Sequence, residues 1–329
     1  MQAAAMQRRA VLAAGALLAG PLPGRAAGTL PGERPLRLLL GFPAGSGPDV
    51  LARLVAEGLK PAAPAGVVVD NRPGAAGLIA AQEAAQAAPA DGSLLLLGEV
   101  GQLAMAPSTY ARLPYDPARD FAAVAALAAA DFAFVVLGAL PVRDLEAWLR
   151  WAAEQRQLSL GTFGAGTPGH FGAAMLAAAA GLAAEPVHFR ATGDAMGAVL
   201  NNTVQGMFAT VAVVAPHVQA GRLTALAVTG PERAPLLPAV PTMAELGRPA
   251  LGFSAWFGLV APAAVPGPVL AATEAAVLRA MAEPGLGARL REAGFRPMPL
   301  GRAEFAAMMQ AERARWAEVV RATGFRAIE

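Results

Sequence analysis

The sequence predicts an α/β fold built in two parts, and three observations carry that expectation. Short apolar runs alternate with Ala-rich amphipathic stretches, the pattern of strands joined by helices. Glycine-rich segments stand where runs of the first kind pass into the second. The 329 residues, 55% of them hydrophobic, suffice for two cores at about 100–200 residues per domain.

Residues 36–41 form the first expected strand. Val50, Leu51, Leu54, Val55 and Leu59 then recur at helical spacing, and Pro61 stops that helix. Residues 67–70 read as the next strand, NRPGAAG as a turn, 78–88 as a helix and 94–97 as a buried strand. The window 121–141 is apolar apart from Asp131. An aspartate at the centre of a spanning helix costs about 2.5–3.5 kcal/mol, so the window is read as core elements rather than a membrane span. A second α/β unit follows, with strands at 132–137, 158–162, 186–189, 204–209 and 223–228 and helices at 145–153, 171–180 and 195–201. From Pro268 onward the chain is mostly helical. There Phe305, Met308, Met309, Trp316, Val319 and Val320 form one apolar stripe, closed by Gly324.

The first residues have the layout of an export signal. Arg8 and Arg9 precede the apolar stretch 10–22, and Gly24 and Ala26 supply small residues before a cut after Ala26. The apolar stretch is shorter than the ~20 residues a spanning helix needs. The paired arginines also suit the twin-arginine route, so that and the general secretory route both stand. Without residues 1–26 the chain keeps 23 basic and 24 acidic residues, a net charge of −1. No basic run remains to track a phosphate backbone, which argues against nucleic acid as a partner. The absence of cysteine excludes disulfides, thiolate metal sites and a lipidated N-terminal cysteine. The expected product is free in the periplasm and monomeric.

The sharpest local feature is GFPAGSGPDV at 41–50. Gly45 and Gly47 let backbone approach a ligand, Ser46 offers a hydroxyl, and Asp49 can cap the following helix. A helix N-terminus with free amides binds anions without a lysine; the alternative is an ordinary tight turn. A second such loop is TFGAGTPGH at 162–170. Its GAGTPG matches the dinucleotide fingerprint, with Glu185 19 residues beyond Gly166. Pro168 removes an amide from that turn, which disfavours a dinucleotide. In the third loop, 71–77, Arg72 is a candidate carboxylate partner beside Gly74. Three such loops in two α/β units point to a cleft that collects amide donors. His170, His188 and His217 are the only histidines and lack metal-ligand spacing, and no GxSxG elbow appears. No catalytic set, metal or cofactor is therefore expected.

Taken in order, the motifs FPAGSGPDVLAR (42–53), VDNRPGAAG (69–77), APADGSLLLLG (88–98), LPYDPARDFAAVA (113–125), GTFGAGTPGH (161–170), LAVTGPERAPLLPAVPTMAELG (226–247) and WFGLVAP (256–262) resemble a known family. It is the periplasmic solute-binding proteins of tripartite tricarboxylate transporters, the Bug or TctC-like family. The resemblance runs from Pro35 to the C-terminus. It implies a type II periplasmic-binding-protein, or Venus-flytrap, architecture with two crossovers, residues 27–128 plus 250–329 in one domain and 129–249 in the other. It also implies a small organic acid in the cleft, its carboxylate on the first loop and the Gly-rich loop of the second domain, and membrane transporter subunits as partners. The expected ligand-binding set is Phe42, Ala44, Gly45, Ser46, Gly47, Asp49, Arg72, Gly74, Glu99, Gly164, Gly166, Thr167, His170, Thr192 and Asp194. The chain departs from the family at HFRA (188–191), Asn201-Asn202, Gln205 and Glu99, the last where a small hydroxyl residue is commoner. Either Glu99 turns away, to solvent or Arg72, or it faces the cleft and receives a donor from the ligand. The competing readings are a periplasmic hydrolase or transferase using Ser46 or Asp49, and a ligand-responsive partner of a membrane sensor kinase.

Overall fold

A computed structural model describes Leu30 and residues 34–189 and 191–329; the expected signal at 1–26 and Arg190 lie outside the described residues. Strand β1 (Leu36–Leu40) buries Leu38, Leu39 and Leu40 and passes into α1 (Gly47–Leu59). Pro48 stands in the first turn of α1, where its missing N–H would have had no helical partner. β2 (Val67–Asn71), α2 (Leu78–Ala85) and β3 (Leu94–Glu99) follow. α2 stops three residues before the expected Ala88, a residue that Pro89 biases away from the helical region. β1 lies between β2 and β3, parallel to both, with Leu40 level with Asn71 and Leu97.

A π-helical turn (Gly101–Met105) and α3 (Ala106–Thr109), neither anticipated, lead to β4 (Phe121–Leu137). This 17-residue strand takes up nearly all of the apolar window of which only 132–137 had been read as strand. Then come α4 (Leu145–Ala153), β5 (Leu158–Thr162), α5 (Pro168–Ala180), β6 (Ala184–His188), α6 (Thr192–Leu200), β7 (Gly206–Thr210), α7 (Val211–Gln219) and β8 (Leu223–Val228). β9 (Ser254–Pro262), α8 (Gly267–Ala282), α9 (Pro284–Glu292), β10 (Arg296–Pro297) and α10 (Arg302–Ala322) complete the chain. α7 was not anticipated: it opens on VAVV, whose three valines favour a strand over a helix. It is helical because Val211, Val214 and Ala215 bury one stripe against the second group of strands.

The sheet order is β2-β1-β3-β9-β4-β7-β5-β6, with β8 and β10 also on β4. β4 changes partners midway: Phe121–Asp131 pair with β9, and Phe132–Val135 with β7. The return passage is adjacent, because Ser254 pairs with Asp131 and the Phe253 N–H donates to the Thr229 carbonyl at 3.1 Å. Asp131 pins both passages. It accepts from Arg296 Nε and Nη2, each at 3.0 Å, and from the Ser254 hydroxyl at 2.5 Å.

β4 also serves as a ruler. Glu99, at the carboxyl end of β3, is level with Phe257 and through it with Ala128. Thr210, at the carboxyl end of β7, is level with Phe132. β3 and β4 are each antiparallel to β9, so they run the same way, whereas β7 runs against β4. The carboxyl ends of β1–β3 and of the parallel set β5–β7 therefore point in opposite directions toward the middle of β4, offset along that strand by four residues, roughly 13 Å at ~3.3 Å per residue. On one side of that gap the two groups of strands are joined by an aromatic wedge: Trp316 of α10 lies 6.1 Å from Phe171 and 6.3 Å from Phe253.

Candidate functional site

The first loop leaves β1 at Gly41 and enters α1 at Gly47. Gly45 takes φ +80°, with open space where a Cβ would stand, and Ala44, Gly45 and Gly47 are exposed. Ser46 is the N-cap by backbone only; its hydroxyl donates to the Pro43 carbonyl at 2.7 Å. Asp49 departs from the expected cap and ligand contact. It sits inside the first turn, 2% exposed, where its Oδ2 accepts from the Gly45 N–H (2.8 Å) and Arg53 Nε (2.9 Å), and its Oδ1 from Asn71 Nδ2 (3.0 Å). Burial alone would raise its pKa, but these donors, the Arg53 guanidinium first, hold the carboxyl below its usual range. An acceptor so fully occupied braces the loop from within. Asn71 also donates to the Phe42 carbonyl at 2.9 Å, tying the first loop to the third.

The third loop carries four successive residues at positive φ: Gly74 (143°), Ala75 (46°), Ala76 (52°) and Gly77 (86°). Two alanines there are strained. Gln102, fully buried in the π-helical turn, supports the loop: its Nε2 donates to the Gly77 carbonyl at 2.8 Å, and its Oε1 accepts from the Glu99 N–H at 3.2 Å. Arg72 pairs with carboxylates of its own chain. It is half exposed, with its Nε 3.3 Å from Asp70 and 3.6 Å from Glu83, in a surface cluster that includes Arg37. The nearest carboxylates claim a guanidinium on an edge strand.

Glu99 ends β3 partly exposed, and extending the β1–β3 register puts Phe42 beside it. Its Oε1 lies 2.3 Å from where a Cβ on Gly101 would stand, so the carboxylate folds back over the turn that follows the strand. Burial pushes its carboxyl up to about 7, while the amides of Gly101 and Gln102 favour the charged form. Among the described residues no ion pair joins it to Arg72, which is engaged by Asp70 and Glu83.

The second loop faces this set from the other group of strands. Gly164 and Gly166 take φ +87° and +73°. Thr167 caps α5, its Oγ1 accepting from the His170 N–H at 3.4 Å and donating to the Gly164 carbonyl at 3.0 Å. His170 is 8% exposed, and its Nδ1 accepts the Gly166 N–H at 3.1 Å, which leaves Nε2 to carry the proton of the neutral ring. Burial, then the neighbouring His188, pushes His170 down to about 4. His188, at the end of β6, lies edge-on to it with centroids 4.7 Å apart and has its Nδ1 2.6 Å from Thr162 Oγ1. Thr192 and Asp194 stand exposed at the start of α6.

Sequence reasoning missed the C-terminal segment of this site. Tyr110 and Ile328 form a β-bridge, with the Ile328 N–H donating to the Thr109 carbonyl at 2.8 Å. That holds Phe325 and Ile328 over Gly166, and Phe325 5.6 Å from the His170 ring. More than 150 residues separate the partners, so no local pattern signals the contact. Asn71 and Gln102 were also passed over; the first lay inside a motif already singled out, whereas the second had no periodicity around it. Among the described residues no cluster of His, Asp or Glu is placed to hold a metal, and no helix is long and apolar enough to cross a membrane.

Two groups of strands whose carboxyl ends oppose each other along a shared β4, linked by two adjacent passages and furnished with glycine loops at helix starts, match the periplasmic-binding-protein fold. The sequence profile of the tripartite tricarboxylate transporter family receptors (TctC) matches residues 51–325, and the chain belongs to that family of solute-binding proteins. It is 32% identical over 290 residues to the UPF0065 protein of the tcbD-tcbE intergenic region of Pseudomonas sp. strain P51, covering 88% of this chain and 86% of that one. Among solved structures, R. palustris Rpa4515 with adipate is similar at a TM-score of 0.79 and 28% identity, covering 90% of this chain and 99% of the other. MatC from Rhodopseudomonas palustris with bound malate gives 0.73 and 29%, covering 88% and 99%.

Proposed function

We propose that this chain is an exported periplasmic receptor that captures a small organic acid between its two lobes and presents it to the membrane subunits of a tripartite tricarboxylate-type transporter. One observation supports the reading: two glycine loops at helix starts, around Gly45 and Gly166, follow strands of two groups whose carboxyl ends point toward each other along β4. Amide donors converging from both sides suit a carboxylate, which needs several donors at once. The acids bound by Rpa4515 and MatC are of the same class. The proposed division between lobes, near 128 and 250, is supported by the change of partners along β4 at Asp131–Phe132 and by the adjacent return passage at Phe253–Ser254. Export by a signal cleaved after Ala26 and a monomeric state complete the proposal.

The test is mass spectrometry of small molecules released from the purified protein, followed by thermal melting with mono-, di- and tricarboxylates. A ligand at about 100 times its Kd adds about 2.7 kcal/mol of stability, which is a readable shift. An unchanged transition with every acid overturns the carboxylate assignment, and turnover of the bound molecule favours the hydrolase reading instead.

Gly45→Val probes the first loop. The open space at its Cβ leaves room for the side chain, and strain at positive φ costs about 1–2 kcal/mol, so the variant folds. The valine projects where an anion meets the loop amides, and affinity is expected to fall about a hundredfold. A folded variant with unchanged affinity by calorimetry removes the first loop from the site.

A further inference from the structure

A series of rings leads from one of the two passages out to the second glycine loop. Phe253, beside the return passage, meets Trp316 of α10 at 6.3 Å, Trp316 meets Phe171 of α5 at 6.1 Å, and Phe171 meets Phe325 at 5.3 Å. Trp316 and Phe171 are fully buried, whereas Phe325 and Ile328 are only half-buried. The chain reaches that outer position by a turn: α10 ends at Ala322, and Gly324 takes φ +65°, a left-handed conformation that suits glycine past a helix end. Two backbone bonds then tie the segment to the first lobe, from the Ile328 N–H to the Thr109 carbonyl (2.8 Å) and from the Ala111 N–H to the Ile328 carbonyl (2.9 Å). From this tether Phe325 and Ile328 meet the second lobe. Phe325 Cζ and Ile328 Cδ1 each lie 3.5 Å from where a Cβ on Gly166 would stand, and Thr109 Cβ lies 3.6 Å from the same point. Three residues of one lobe thus close on a single glycine of the other.

We infer that residues 324–329 are an interlobe strap: anchored at Thr109 and Ala111, they hold the second glycine loop against the first lobe and set how readily the lobes part. This rests on the division into lobes proposed above. Rotation about the passages at 131–132 and 253–254 displaces groups in proportion to their distance from them, and the strap contact stands at the outer end of the ring series. A half-buried apolar contact made by residues outside any helix gives way more readily than the fully buried pair of Trp316 and Phe171. The strap is the part of the interface that opening breaks first, and its apolar area sets the free energy of that step.

The experiment measures the distance between lobes. The sequence has no cysteine, so a pair can be introduced for spin labels without removing any. Lys60→Cys and Glu154→Cys place the labels at exposed positions shortly before β2 and β5, on the sides of the two lobes away from the strand ends that face the site. Pulsed electron resonance then compares the labelled chain with the same chain carrying Phe325→Ser and Ile328→Ser, each alone and with mono-, di- and tricarboxylates. The expected result is a rise of about tenfold in the long-distance population of the strap variant. A lower melting temperature with an unchanged distance shows that the segment only packs the end of α10, and overturns the inference. If acids shorten the distance but the variant matches the parent with and without them, the strap falls while the receptor reading stands. If neither acid nor variant moves the distance, the two-lobe reading falls with it. Should the double variant not fold, Ile328→Ser alone, at a half-buried position outside any helix, decides the comparison.

Discussion

Replacing Gly41 with alanine is expected to damage both stability and binding, although it adds a single methyl group. The new Cβ would lie 2.3 Å from the Cα of Gly77 and 2.8 Å from Gln102 Nε2. The first of these is backbone, and its loop is already strained through Ala75 and Ala76 at positive φ, so it has little freedom to give way. Gln102 cannot retreat without losing its bonds to Gly77 and to the Glu99 amide. Overpacking of this kind costs about 1–3 kcal/mol, and the rearrangement forces the first and third loops apart. Chemical denaturation should register the loss of stability, and calorimetry a fall in affinity of about tenfold or more. Unchanged affinity in Gly41→Ala would mean that contact between these loops does not set the geometry of the site.

The second large effect is a pair of opposed pH dependences. His170 is held near 4 in the folded protein against about 6.5 in an unfolded chain. Between these values the unfolded state binds the proton and the folded state does not, so stability falls as pH drops from about 6.5 to 4. The full term is about 3 kcal/mol. Glu99 acts in the other direction. Raised to about 7 from an unfolded value near 4.3, it binds a proton in the folded state first, and stability falls as pH rises from about 4.3 to 7. Its partial exposure discounts this to about 2 kcal/mol. In the native protein the Glu99 term offsets only part of the His170 term, and His188, also held down by burial, adds to the loss toward acid, so stability should still decline gently from pH 6.5 to 4.5. Urea melts of Glu99→Gln should expose the His170 slope, with stability lost toward acid. His170→Asn, whose Oδ1 can still accept the Gly166 N–H, should show the reverse slope at lower overall stability. Parallel profiles for the two variants would contradict the buried, neutral state of His170.

His170 also shows how far residue order alone reaches. TFGAGTPGH already marked the turn, its glycines and the helix after it, because backbone sterics impose those residue types within nine positions. What makes His170 neutral is burial and the neighbouring His188, and part of that burial comes from Phe325, delivered by a β-bridge between Tyr110 and Ile328. Likewise, Asp49 and Arg72 were credible site residues by type, and the structure gives them to Gly45, Arg53 and Asn71 in one case and to Asp70 and Glu83 in the other.

Residue order by itself determined the strand and helix series, the positions of the glycine loops and the family, since each rests on local periodicity, turn chemistry or ordered motifs. Only the tertiary structure decided that α7 is a helix despite its β-branched run, that β4 is one strand serving two groups of partners, and that Arg72 pairs with Asp70 and Glu83. Each of these depends on what packs against a residue from a distant part of the chain: long-range burial outweighs a weak local propensity, and the pairing of a charge depends on which groups folding places nearby.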